Sequence, residues 1–198
     1  MFIYLKSINF LLISLIVILL NGCSSTNMKD FENKTPKLNL FEFFKGETVA
    51  YGIFEDRFGK LRRQFRVKIK GSVEENTLTL DEKFIYDDGE KATRIWKIKK
   101  INENNNLIKY EGSADDVEGL ATGTSVGNAL NWTYDIYLNI KGSNLKVKFN
   151  DWIYKQDSNV AINRAYVSKF GIDIGSVTLV FLRGQTAKTV SPLNINSW

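Results

Sequence analysis

The stretch Leu61-Arg62-Arg63-Gln64-Phe65-Arg66-Val67-Lys68-Ile69-Lys70 alternates without interruption. Along a strand, successive side chains point to opposite faces. Leu61, Arg63, Phe65, Val67 and Ile69 therefore share one face, and Arg62, Gln64, Arg66, Lys68 and Lys70 share the other. A helical period would mix the two sets. The apolar face must turn inward, and it carries Arg63 with it. The pattern recurs in Leu78, Leu80, Glu82, Phe84 and Tyr86, which brings Glu82 inward. It recurs again in Ala92, Arg94, Trp96 and Ile98, which brings in Arg94.

Turn signals break this alternation at regular intervals from Glu47 onward. They fall at Asp56-Arg57-Phe58-Gly59, Ser72 to Asn76, Asp87-Asp88-Gly89, Asn102 to Asn106, Asp115 to Gly119, Gly127-Asn128, Lys141 to Asn144, Asp157-Ser158-Asn159 and Gly171. Evenly spaced strands joined by short turns predict an all-β fold, an antiparallel up-and-down meander of about nine or ten strands. Such a meander closes into a small barrel or a barrel-like sandwich, here over residues 41–183. Leu40 to Phe44 reads as a short helical turn or lid. Residues 184–198 lose the alternation and read as a C-terminal tail.

A turn around Val73-Glu74 would pair Phe65 with Leu80 and Arg63 with Glu82. The Asp-Asp-Gly turn would then set Glu82 opposite or diagonal to Arg94, giving an inward Arg63–Glu82–Arg94 cluster. Arg164 is in phase with Ile162 and Tyr166, and Trp132 with Tyr134, Ile136 and Leu138. After Phe149 the phase slips if Trp152 and Tyr154 are inward, and a bulge near Asn150-Asp151 would account for it. Buried charges are costly unless paired. The inward charges are therefore either a satisfied ion-pair network plugging the barrel or part of a ligand site. In the second case Arg63, Arg94 and Arg164 would hold an anionic head group beside Glu82, while Trp96, Trp132, Tyr134 and Trp152 line the apolar part.

The N-terminus supplies a location. Phe10 to Leu20 is apolar apart from Ser14 and follows the single cation Lys6. That run is shorter than the ~20 residues of a membrane-spanning helix and has the length of a signal-peptide core. It leads into Leu20-Asn21-Gly22-Cys23, which holds the only cysteine of the chain. This reads as a lipoprotein signal over residues 1–22, with Cys23 acylated and residues 23–40 forming a lipidated tether. Ser24 after the cysteine favours an outer-membrane lipoprotein facing the periplasm of a bacterial envelope.

Composition excludes several chemistries. The chain has no histidine and, beyond Cys23, no thiol. Histidine general acid–base work, serine–histidine triads, thiol catalysis and the common zinc sites are out. Net charge is +5, or +4 once Lys6 is removed with the signal. The envelope location argues against nucleic acid and leaves a mild attraction to anionic lipid. Asp115, Asp116 and Glu118 could suit a hard cation such as calcium, but they lack EF-hand spacing. Gly119, Gly123 and Gly127 lack a phosphate loop's Lys-Ser or Lys-Thr and suggest close backbone approach or sharp bending instead. No cofactor is expected.

Several segments together resemble a known family. They are Tyr51-Gly52-Ile53 with Asp56-Arg57 and Gly59, Leu80-Asp81-Glu82 with Phe84 and Tyr86, Asp87-Asp88-Gly89-Glu90, and Arg94 with Trp96. Further on come Gly112 to Val117, Gly127 to Trp132, Asp151-Trp152-Ile153-Tyr154, Asn163-Arg164 and Lys169-Phe170-Gly171. Over Phe41 to Arg183 the chain resembles the proteobacterial lipoproteins grouped as domain-of-unknown-function family 3833. The resemblance implies a lipocalin-like barrel and a lipid-linked role, and it brings no catalytic residues with it.

The leading expectation is a non-catalytic envelope lipoprotein whose barrel binds an amphiphile such as a fatty acid or phospholipid derivative. An enzyme on envelope lipids would have to use a carboxylate, Glu82 or Asp116, with a raised pKa. A scaffolding lipoprotein would have a filled core and an exposed apolar patch.

Overall fold

The computed structural model describes residues 26–104, 106–140, 143–190 and 193–198. The signal segment 1–22 and Cys23 lie outside the described residues. Ten antiparallel strands follow one another: β1 Gly46–Asp56, β2 Leu61–Glu74, β3 Thr77–Tyr86, β4 Lys91–Asn104 and β5 Leu107–Ser113 on one half. β6 Val117–Val126, β7 Ala129–Ile140, β8 Ser143–Lys155, β9 Val160–Lys169 and β10 Ile172–Arg183 complete the other. Each strand pairs with the next, and β10 returns to pair with β1, so the barrel is closed and leaves no edge strand.

The predicted turns are where the chain reverses. Gly59 and Gly89 take φ of +76° and +83° in the β1–β2 and β3–β4 turns. Phe170-Gly171 is a two-residue turn with both φ positive, 52° and 77°, which matches the right-handed twist of the flanking strands. One turn differs from the expectation. β2 runs on through Gly71, Ser72 and Val73, and the chain reverses at Glu75-Asn76. Phe65 thus faces Tyr86, and Ile69 faces Glu82. Gly71 lies inside β2 for a reason of its own. A Cβ there would lie 1.8 Å from the Phe44 carbonyl oxygen.

That carbonyl belongs to a plug. The helix Leu40–Phe44, capped by the Asn39 side chain on the Phe41 amide at 3.0 Å, closes one end of the barrel. Leu38, Leu40, Phe43 and Phe44 are all buried in the barrel core. Phe44 meets the Phe181 ring edge-on at 5.2 Å, and Phe41 stacks on Tyr110 at 6.1 Å. The Leu40 amide donates to the Tyr110 hydroxyl, and Ser125 Oγ donates to the Leu38 carbonyl.

The stretch expected as a tether is laid along the barrel from Asn27 onward. A 3-10 turn at Met28–Phe31 places the Phe31 ring 6.0 Å from Trp152 and 5.7 Å from Tyr154. Gly127, at φ +54°, lets the Phe31 carbonyl approach where a Cβ would sit only 1.8 Å away. At the other terminus, the helix Gly184–Thr189 buries Ala187 with Leu193 against Val49 on the outer face of β1.

Candidate functional site

The end opposite the plug is rimmed by the turns at Arg57–Lys60, Asp87–Glu90, Ala114–Asp116 and Phe170–Gly171. Down from that mouth the inward side chains keep partial contact with solvent, among them Phe54, Phe84, Tyr86 and Phe149. Several rings lie along the wall instead of across the axis. A Cβ on Gly52 would come within 2.3 Å of the Phe65 ring. The Trp132 indole spans two neighbouring strands, where a Cβ on Gly123 or Gly112 would come within 2.2 or 2.8 Å of it. Opposite, β9 turns only Ala161, Asn163, Ala165 and Val167 inward. Large rings on one side face short side chains on the other, and the inward side chains nearest this mouth are only partly buried.

An aromatic group forms one side of the barrel interior. The Trp96 ring sits 5.7 Å from Trp132 and 5.2 Å from Tyr134, both edge-on, and Tyr134 stacks on Phe149 at 5.3 Å. A polar group sits beside it. Arg94 on β4 donates from Nε and Nη2 to both oxygens of Asp116 at 2.7–3.1 Å. Glu82 stands directly across from Arg94 in the β3–β4 register, as expected, yet Arg94 directs those hydrogen bonds to Asp116. Asp151 on β8 is 7% exposed and accepts from Asn163 Nδ2 at 2.6 Å.

Burial sets the protonation of these groups. It pushes the Glu82 carboxyl up to about 7. Arg94 pulls it down, while Asp116, Asp151 and Asp81 push it further up. Burial raises Asp151 to about 6, against the opposing pull of the Asn163 amide, Arg94 and the Tyr134 hydroxyl. Burial, and then Asp151, hold the Tyr134 phenol well above its ordinary range. A carboxyl raised in the folded state stabilises the fold below its unfolded value and loses that contribution as pH rises through the folded value. For Glu82 that window runs from about 4.5 to 7, and for Asp151 from about 3.8 to 6. Glu82→Gln removes the first part. It is expected to match the parent at pH 5 and to exceed it at pH 8 by on the order of 1–3 kcal/mol, measured by urea unfolding.

The structure brings together Glu82, Arg94, Trp96, Trp132 and Tyr134, and it moves three expected site residues elsewhere. Arg63 is inward, but the longer β2 carries it six residues beyond the partner of Glu82, roughly 20 Å along the strand. It lies at the rim, paired with Asp88 at 2.9 Å and Glu90 at 2.5 Å, with its guanidinium 3.5 Å above the Tyr86 ring centre. Arg164 points outward with the exposed Ile162 and Tyr166, bonded to Thr178 at 2.9 Å and 3.7 Å from Glu55. Its strand buries Ala161, Asn163 and Ala165 instead, and small residues carry too little apolar signal to mark the face. Trp152 is also outward, across from Arg164. It is buried by Phe31 from outside. The β7–β8 register is continuous, with no bulge at Asn150-Asp151, and Asp151 faces inward across from Trp132.

Asp151 and Asn163 are thus the site residues that sequence reasoning passes over, while Asp116, singled out as a carboxylate, turns out to serve Arg94. The unbroken period Leu145, Val147, Phe149, Asp151, Ile153 is the signal that could have found the first. The acidic turn weighed as a hard-cation site is dispersed. Asp116 serves Arg94, and Glu118 pairs with Lys146 and the Tyr137 hydroxyl. Among the described residues there is no cluster able to hold a metal ion.

A closed up-and-down barrel with one plugged end and a polar group in an aromatic-lined lumen is a lipocalin-like barrel. The chain belongs to the family of proteins of unknown function DUF3833, whose model matches residues 17–183. No curated protein matches the chain. Among solved structures it is similar to the S-type phycobiliprotein lyase CPES from Guillardia theta. The identity is 8% and the TM-score 0.56, over 81% of this chain and 98% of that one. It is also similar to a de novo designed fluorescence-activating β-barrel, at 10% identity and a TM-score of 0.40, over 74% of this chain and 99% of that one.

Proposed function

We propose that the barrel is a non-catalytic binding module that holds a small amphiphilic or lipid molecule in its lumen. In this reading it works in the bacterial envelope, on the periplasmic side of the outer membrane, anchored through acyl chains on Cys23. The observation that carries the reading is the form of the barrel: closed by Leu40–Phe44 at one end, with inward side chains only partly buried toward the other, and with rings packed over glycines. An apolar pocket with a few convergent polar groups is the usual form of a small-molecule site. One solved structure of similar fold is named as an S-type phycobiliprotein lyase. The expected anionic head group is given up. Arg63 and Arg164 are not in the lumen, and Arg94 is engaged by Asp116.

The test is organic extraction of the purified full chain, with mass spectrometry of the extract. A discrete amphiphile at near-stoichiometric amount supports the reading, and a folded protein carrying none contradicts it. One observation favours a second reading. The raised carboxyl of Glu82 suits a general acid acting on an envelope lipid. Turnover of an envelope-lipid extract that Glu82→Gln abolishes would select it.

A further inference from the structure

We propose that the lumen takes an amphiphile whose polar end is a protonated amine or another N–H-bearing cation, seated among Glu82, Asp151 and Asn163. The proposal rests on the lumen reading above and names the chemistry of its ligand.

The charges inside do not balance. Arg94 is the cation facing Glu82, Asp116 and Asp151, and its hydrogen bonds go to Asp116. Arg63, at the rim, is matched by Asp88 and Glu90. An anionic head group would meet Glu82 and Asp151 and would have to displace Asp116 from Arg94. A cation would complete pairs that the protein leaves open.

The hydrogen bonds point the same way, and independently. Asp151 Oδ2 and Asn163 Oδ1 are buried without a partner among the described residues. Both side chains are more than nine-tenths buried, at 7% and 4% exposure. Because Asn163 gives its amide nitrogen to Asp151 Oδ1, the atom it leaves open is its acceptor oxygen. Two neighbouring orphan acceptors on inward faces call for a ligand that brings donors, and an ammonium or amidinium brings several. Trp132 stands across from Asp151 in the β7–β8 register, with Trp96 packed against it, so an aromatic group lies beside the polar one.

A bound cation favours the ionised carboxyls, so it should bind more tightly as pH rises from 5 to 8. The groups that face this response are Arg94 on β4, Asp116 on the β5–β6 turn, Tyr134 on β7, Asp151 on β8 and, near Glu82 on its own strand, Asp81. A primary amine stays protonated through that range, as a lysine does.

The probes are naphthylmethylamine, naphthylmethanol and naphthylacetate, titrated calorimetrically into the full chain in non-ionic detergent. At pH 8 the amine is expected to bind about tenfold tighter than the alcohol, with the acid weakest. The preference should shrink at pH 5. Glu82→Gln and Asp151→Asn should each cut the amine-to-alcohol ratio several-fold. Amine and alcohol binding equally would mean that water satisfies the polar group, and would overturn the proposal. The acid binding tightest would overturn it and leave the lumen reading standing. Failure of all three probes to bind would overturn both.

Discussion

Arg94→Met is expected to destabilise the barrel by about 3–5 kcal/mol at pH 8, measured from urea unfolding. The loss comes from what the arginine leaves behind. Glu82, Asp116 and Asp151 all act on it, and without it three carboxyls share one interior with no cation among them. Removing one partner of a buried pair costs more than the pair contributes, because the remaining charge stays desolvated. The effect is pH-dependent in a stated direction. Near pH 5 Glu82 and Asp151 hold their protons in the folded state, so only Asp116 is abandoned, and its side chain is 38% exposed. The loss should then fall to roughly half or less. Arg164→Ala is the comparison. Its outward side chain is 43% exposed and lies 3.7 Å from Glu55, an arrangement worth about 0–1 kcal/mol. Equal losses for the two variants would rule out a polar lumen held together by Arg94.

Phe43→Ala carries the second large effect, an expected loss of about 3–5 kcal/mol at any pH. Phe43 is 1% exposed, packs edge-on against Phe44 at 5.1 Å and sits under the Arg183 guanidinium at 5.6 Å. It is part of the short helix that seals the base, which a segment of five residues could not form alone. The helix exists because its apolar side chains enter the barrel end. Truncating Phe43 should therefore loosen the whole plug, and amide exchange of Leu40–Phe44 should rise ahead of that in β7 and β8. A plug that exchanges with the barrel walls in one cooperative step would contradict this.

The strands are legible because their signal is local. Alternation marks a face, turn residues mark its ends, and the strands can be placed with no knowledge of what each one touches. What the sequence conceals are decisions made at a distance. Ser72 to Asn76 reads as a turn, but β2 continues through Gly71, Ser72 and Val73, with Gly71 admitting the Phe44 carbonyl from a helix 27 residues earlier. The resulting shift of the β2–β3 register preserves which residues point inward, because it moves by an even count. It moves Arg63 from the middle of the lumen to its rim.

Trp152 and Tyr154 read as inward because they are aromatic, and they are indeed sheltered, but by Phe31 packing on the outside. That reading displaces Asp151, whose acidic side chain on the inward face is the less expected choice. Arg164 takes its predicted face from its apolar neighbours Ile162 and Tyr166, which are in fact exposed. In a barrel wall of small residues, hydrophobicity is a poor compass, and β9 shows it. The cross-strand placement of Glu82 and Arg94 is legible from a single tight turn. The diversion of Arg94 to Asp116 is not, because that contact joins β4 to the loop between β5 and β6.

Glu82 distinguishes an unbalanced acidic lumen from a satisfied ion-pair plug. The pH titration of its side-chain carboxyl, followed by carbon NMR with Glu82→Gln to assign it, separates the two. A midpoint near 7 is the predicted result. A midpoint at or below the ordinary value of 4.5 would show Glu82 held ionised by Arg94, and would contradict both the lumen and the ligand chemistry drawn from it.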